Sequence, residues 1–340
     1  MQYPHLHALE HRTLLELKKV STNKFPLIVV ACVSGGADSM ALLHILKELC
    51  EHRTSTQIGG LHLTVLHCNH ERRGDESDLD EALVHNVCAK WNVSLHVEKW
   101  HDRPENLSSK NGNFQEDARL WRYESANKIM QEQLKLFSGV ATACIATAHH
   151  ARDHAETLLL NIIRGTGLDG LSGIDSWNRE QSLVRPLCCI RHQEIVAYVQ
   201  EKKIPFREDS SNASNEYTRN FIRNRILPLI EELNPNYEDS FLRLSENARD
   251  ALNEIHIPEG GLPIHVGLSA SQILKLARRT HPDLPRQLTS RVLSNILGHV
   301  RTIATRKNPT PTMRIQLSND WLALLGADGL NFERAAPPHP

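Results

Sequence analysis

An apolar run, Phe25-Pro26-Leu27-Ile28-Val29-Val30-Ala31-Cys32-Val33, leads directly into Ser34-Gly35-Gly36-Ala37-Asp38-Ser39. Apolar residues then recur at helical spacing from Met40 to Glu51. A β-branched run that ends in a glycine turn and reopens as a helix reads as a buried strand, a tight loop and a crossover helix. Glycines let the backbone turn sharply and aim successive amides at an anion. The helix start adds unsatisfied N–H donors and the positive end of its dipole. Ser34 and Ser39 supply hydroxyls. Asp38 is a poor neighbour for phosphate unless a Mg²⁺ stands between them. The spacing is neither GxxxxGK[ST] nor GxGxxG, which disfavours kinases, GTPases and simple dinucleotide binders.

Working outward, Leu63–Asn69, Val93–Trp100 and Ala143–His149 read as further buried strands, and the shorter 182–187 as another. Between them 78–91, 116–133 and 193–202 carry helical periodicity. Strands alternating with helices predict an α/β fold, a doubly wound parallel sheet of Rossmann-like type, with ligands beyond the carboxyl ends of the strands. After Pro228 the pattern changes. Residues 230–255 read as one long charged helix, 269–279 and 287–304 as amphipathic helices, and 313–325 as a strand pair. The expected organisation is a catalytic domain over 1–235, a smaller, mainly helical region over 236–334 and a disordered tail at 335–340.

The 340 residues are 40% hydrophobic and 23% charged, with a formal net charge of -1, so any nucleic-acid partner must be met by a local basic face. Between Lys275 and Lys307 such a face is written in eight cations, including Arg278 and Arg279, against Asp283 alone. An ordinary solvated helix face is the other reading. The seven cysteines show no CxxC pair, as in buried reduced thiols. No apolar segment reaches the roughly 20 residues that span a bilayer, and a cytoplasmic protein is expected.

Six segments carry a family resemblance. Ser34 to Ser39 resembles the SGGxDS signature of the PP-loop ATP pyrophosphatases, which cleave ATP to AMP and pyrophosphate. His67-Cys68-Asn69-His70 with Arg72-Arg73, and Glu116 to Tyr123 with Arg119, are similar to segments of the tRNA(Ile)-lysidine synthetases within that family. So are Ala148-His149-His150-Ala151-Arg152-Asp153-His154-Ala155-Glu156-Thr157 and the loop from Arg164 to Leu171. The sixth segment holds Asp209-Ser210-Ser211-Asn212, Tyr217, Arg219-Asn220, Arg223 and Leu227-Pro228. The resemblance covers about residues 25–235. One departure stands out: the family usually carries two adjacent acids where this chain has Arg152 before Asp153.

The resemblance implies ATP and Mg²⁺ as cofactors, an isoleucine tRNA with a CAU anticodon and free L-lysine as partners, no membrane, and precedent for a homodimer. It implies that ATP sits on Ser34, Gly35, Gly36, Ala37, Asp38 and Ser39, with Asp38 and Asp153 as metal ligands. Arg119 then faces the α-phosphate or the adenylated base; a helix-surface pair with Glu116 is the alternative. Asp153, His149 or His150 would receive the lysine or its proton, although a histidine pair there can equally be structural. Arg164, Arg219, Arg223, Arg278 and Arg279 would hold tRNA phosphates. For Arg219 and Arg223, ion pairs with Glu208 or Asp209 stay open. Two rivals remain: a PP-loop tRNA thiolation enzyme, and a nucleotide- or RNA-binding protein without catalysis.

Overall fold

A computed structural model describes residues 6–21, 24–51, 59–103, 114–137, 140–208, 218–254, 262, 268–281, 284–304, 312–317, 321–326 and 329–335. The chain divides into two compact units, one of residues 1–159 and 174–242, the other of 160–173 and 243–340.

The first unit is built on strands β1 (Leu27–Cys32), β2 (Leu61–Asn69), β3 (Ser94–Lys99), β4 (Thr142–Ala146), β5 (Trp177–Asn178) and β6 (Leu183–Val184). They form one sheet in the order β3-β2-β1-β4-β6-β5, parallel except for β5, which runs antiparallel to β6. Helices α1 (Ala8–Lys18), α2 (Ala37–Glu51), α3 (Asp75–Trp91), α4 (Phe114–Leu136), α5 (Ala151–Ile163), α6 (Leu168–Leu171) and α7 (His192–Glu201) follow in chain order. The expected parallel, doubly wound sheet is present, with helices on both faces.

Strand β1 explains why. Leu27, Val29 and Ala31 point into a core shared with α1, α2, α3 and α7, while Val30 joins Ala126, Ile129 and Met130 of α4 on the opposite face. A strand buried on both sides reads as an unbroken apolar run, not as an alternation. Every parallel strand therefore ends at the same edge. Reversal of strand order between β1 and β4 opens the crevice there.

Downstream of α7, α8 (Thr218–Phe221), a π turn over Ile222–Ile226 and α9 (Leu227–Leu233) follow one another, then α10 (Tyr237–Glu254). The single long helix expected over 230–255 is broken: Asn234 is extended, and Pro235, lacking an N–H, follows it.

In the second unit, α11 (Ala270–Thr280) and α12 (Ser290–Ala304) bury Ile273, Leu276, Ala277, Ile296 and Val300. The same core takes residues from an antiparallel sheet, β7 (Met313–Gln316), β8 (Trp321–Gly326) and β9 (Gly329–Arg334). The expected strand pair thus has a third member.

Candidate functional site

The loop after β1 is held by its own serine. Ser39 Oγ accepts from the backbone N–H of Ser34 and of Gly35, at 3.2 Å each, and donates to Gly36 O at 2.9 Å. Gly35 has φ +96°, a conformation a side chain would strain, and a Cβ there would meet Asp80 at 3.5 Å. The first amides of α2 remain without helical acceptors, as at any helix start. The loop lines a cavity of about 810 Å³ with His67, His70, Arg72, Arg73, Arg122, His149, Asp153, Arg207 and Arg223 among its other walls.

Opposite the loop, α5 begins with Asp153 Oδ2 accepting the N–H of His150 at 3.1 Å. His150 is 4% exposed, and its Nε2 stands 3.4 Å from Asp38 and 3.6 Å from Asp153. Burial alone would lower its pKa, but the charges of Asp153 and Asp38 dominate and raise it to about 9. Burial would likewise raise the carboxyls; His150 outweighs it and both Asp38 and Asp153 fall below the usual range. His149 goes the other way. Burial first, then Arg185, Arg119 and Arg219 against the pull of Asp153, push it down to about 3. Its Nδ1 lies 2.9 Å from the Thr147 hydroxyl. An imidazole already protonated and another that resists protonation are both poor proton acceptors at neutral pH.

Glu156, fully buried, organises the next layer. It takes Arg223 Nε at 2.6 Å and Arg219 Nε at 2.8 Å, and both guanidiniums reach Asp153 Oδ1, at 3.2 and 3.5 Å. Arg219 and Arg223 are therefore ion-paired inside the site, to Glu156 and Asp153; of the pairing partners expected for them, Asp209 lies outside the described residues. A π turn carries Arg223, and such insertions recur at functional positions. Arg152 turns away and donates to the Arg223 carbonyl at 3.2 Å.

Metal-holding capacity divides unevenly. Asp38 Oδ1 is buried with no hydrogen-bond partner among the described residues, and a carboxylate oxygen is what Mg²⁺ takes alongside phosphate oxygens. Asp38 fits such an ion. Asp153 has both oxygens engaged by His150, Arg219 and Arg223. Among the described residues the one group of three metal-ligating side chains is Asp38, His150 and His192.

Arg119 is exposed with its guanidinium 4.9 Å over the Tyr123 ring, near enough to His149 to act on its charge. In the second unit Arg164 is exposed beyond α5, and Arg279 is exposed on α11. Arg278 is paired to Asp169 at 2.7 Å. Of the residues expected to matter, Asp209, Ser210, Ser211, Asn212, Tyr217, Arg306 and Lys307 lie outside the described residues. The sequence reading gave no role to Glu156, His192, Asp80 or Arg207. A second acid one turn after Asp153, at the i,i+3 spacing, was the available signal for Glu156.

Comparison with known proteins agrees with this geometry. Residues 9–230 match the model of the PP-loop domain. The chain is 37% identical to a tRNA(Ile)-lysidine synthase of Chlorobaculum tepidum over 75% of its own length and 68% of the relative's. Against the same enzyme of Nostoc sp. it is 32% identical, covering 88% of this chain and 85% of that one. In Porphyromonas gingivalis a relative of that name is 39% identical over 69% of this chain, which spans 48% of that protein. Among solved structures, the U34-tRNA thiolase NcsA from Methanococcus maripaludis superposes with a TM-score of 0.55 at 17% identity, covering 73% of this chain and 80% of the other, a likeness of fold.

Proposed function

Since the chain belongs to the tRNA(Ile)-lysidine synthases of the PP-loop family, ligases that use ATP, we propose that it makes lysidine at the wobble cytidine of an isoleucine tRNA with a CAU anticodon, consuming ATP and free L-lysine. The observation carrying this reading is the convergence of five family segments, around Ser34, His67, Arg122, His149 and Arg223, on one cavity.

In the first step the cytidine C2 oxygen attacks the α-phosphate, and the bond to pyrophosphate breaks. Amides at the start of α2 receive the phosphates, with the loop held in shape by Ser39. Mg²⁺, held by Asp38, would neutralise phosphate charge. Arg119, beside His149, serves the adenylated base.

In the second step the lysine side-chain amine attacks C2, and AMP departs with the oxygen. At pH 7 about one lysine in 2,500 is neutral, so supplying the nucleophile costs about 4.6 kcal/mol. Asp153 accepts a hydrogen bond from the arriving amine. Its neighbours His150, Arg219 and Arg223 are cations, and they offset the carboxylates that would otherwise hold the amine as an ammonium. That arrangement lessens the cost without a histidine base. Arg164 and Arg279 are the exposed candidates for tRNA phosphates. No helix among the described residues is long and apolar enough to cross a membrane, which accords with work in the cytoplasm.

Mass analysis of nucleosides from that tRNA, incubated with protein, ATP and lysine, tests the reading. Lysidine and AMP are expected. ADP with orthophosphate, and no AMP, would overturn it; sulfur in the base would favour the thiolation class instead. Within it, Asp153→Ala should abolish lysine incorporation, and near-normal incorporation would remove that residue's role.

A further inference from the structure

Asp80 and Arg207 have no part in the chemistry above, yet both line the phosphate cavity. Asp80, on α3, is 8% exposed and packs against Gly35. One of its oxygens accepts Arg207 Nε at 2.9 Å, the other an Arg73 terminal nitrogen at 2.7 Å. Arg207 is bound to the loop a second time, since its backbone N–H donates to Gly35 O at 3.0 Å. A single carboxylate thus holds two guanidiniums beside the turn of the loop.

The two arginines are not equivalent. Arg73 also lies 3.8 Å from Glu76 at the rim. Arg207 gives Asp80 only Nε, and its terminal NH₂ groups carry no ion pair among the described residues. A planar guanidinium anchored at Nε keeps its far edge for a second, bidentate contact, the geometry that suits phosphate.

We propose that Arg207 binds the β- and γ-phosphates and follows them as pyrophosphate leaves, with Asp80 as the positioning residue that aims it. The proposal rests on the AMP-forming reading above. As the cytidine oxygen bonds to the α-phosphorus, the electron pair of the breaking P–O bond passes to the pyrophosphate oxygen, and the charge so gained is met by a guanidinium already locked in place. A fixed donor costs no reorganisation at that moment. Asp80 screens Arg207 while the cavity is empty and keeps it from folding onto the carboxylates of Asp38 and Asp153.

Calorimetric titration of the full chain with magnesium pyrophosphate, and separately with AMP, tests this. Arg207→Ala should weaken pyrophosphate binding at least tenfold, and Asp80→Asn several-fold, with AMP affinity held within twofold in both. Arg207→Lys should recover part of the loss, because charge returns without the fork. A purely structural role would weaken AMP and pyrophosphate together or move neither, and either result overturns the proposal. Arg207 is about a third exposed, so its alanine variant should fold even where Asp80→Asn does not; a thermal midpoint confirms the folded state of each. Wild-type chain given tRNA, ATP and lysine runs alongside. ADP there, with unchanged titration results, condemns the AMP-forming reading alone. AMP there, with equal pyrophosphate affinity in wild type and Arg207→Ala, condemns the Arg207 assignment alone.

Discussion

Two centres in the first unit pin paired arginines with buried acids, and their charge counts differ. At the loop end of the cavity, Asp80 holds Arg73 and Arg207, Glu76 stands 3.8 Å from Arg73, and Arg72 and Arg122 line the same wall, so arginines outnumber acids. At the α5 end, Asp38, Asp153 and Glu156 face Arg219, Arg223 and a protonated His150. The first centre is left with positive charge to offer, and the second is balanced. A polyanion is well received where cations outnumber acids. A balanced cluster has no net charge with which to favour an ammonium over the neutral amine, which suits a place where an amine must arrive uncharged. The same residue types do different work because the number of carboxylates differs.

The sharpest way to break this comparison is at Asp38. Asp38→Ala leaves His150 with one carboxylate and removes the oxygen suited to Mg²⁺, and tRNA-dependent AMP release should fall about a hundred- to a thousand-fold. A fall under tenfold would mean the two ends of the cavity do not share a nucleotide.

Next comes Glu156→Gln. Two guanidiniums would then lose their fully buried carboxylate and keep Asp153, and the loss of that buried partner should lower unfolding free energy by about 3 kcal/mol in urea titrations. A change under ~1 kcal/mol would show that water through the exposed side of the arginines already compensates.

A pH effect distinguishes the strand-edge histidines. His70 sits beside Trp100, Phe114 and Trp121; burial, helped by Arg122, His67 and Arg73, drives its pKa from 6.5 to about 4. Its folded pKa lies below the unfolded one, so the stability it contributes is whole above 6.5 and drains away as pH falls towards 4. His70→Phe should therefore reduce the loss of urea midpoint between pH 7.5 and 5; an undiminished loss would assign the acid sensitivity elsewhere. The smallest effect belongs to the second unit: Arg278→Ala removes a half-exposed arginine from the largely buried Asp169 and should cost about 1 kcal/mol.

What could be read beforehand was what is local. Ser34 to Ser39 specifies its own turn, and β1 announces its double burial through five consecutive aliphatic residues, so the parallel sheet and the phosphate loop were legible. Helix α1 was not: its stretch is dense in His and charge, and its buried Leu9, Leu14 and Leu17 matter only because α2 and α7 stand ready to cover them. Strand β9 escaped for a similar reason, since only pairing to β8 makes it a strand. In the site, His149, His150 and Asp153 are neighbours in sequence and could be named together. Asp80 and Arg207 meet across 127 residues, Arg223 and Glu156 across 67, and no periodicity encodes such a meeting.

Arg152 sits where the family usually has an acid, and its side chain serves the carbonyl of Arg223 within the π turn. A widened helical turn disturbs the regular i→i+4 ladder, and here a donor from another helix meets one of its oxygens. An aspartate at this one position would be too short to reach, would bring no donor and would leave that carbonyl to find water. The unusual residue and the irregular turn therefore form a matched pair, so a graft of either into a relative should carry both.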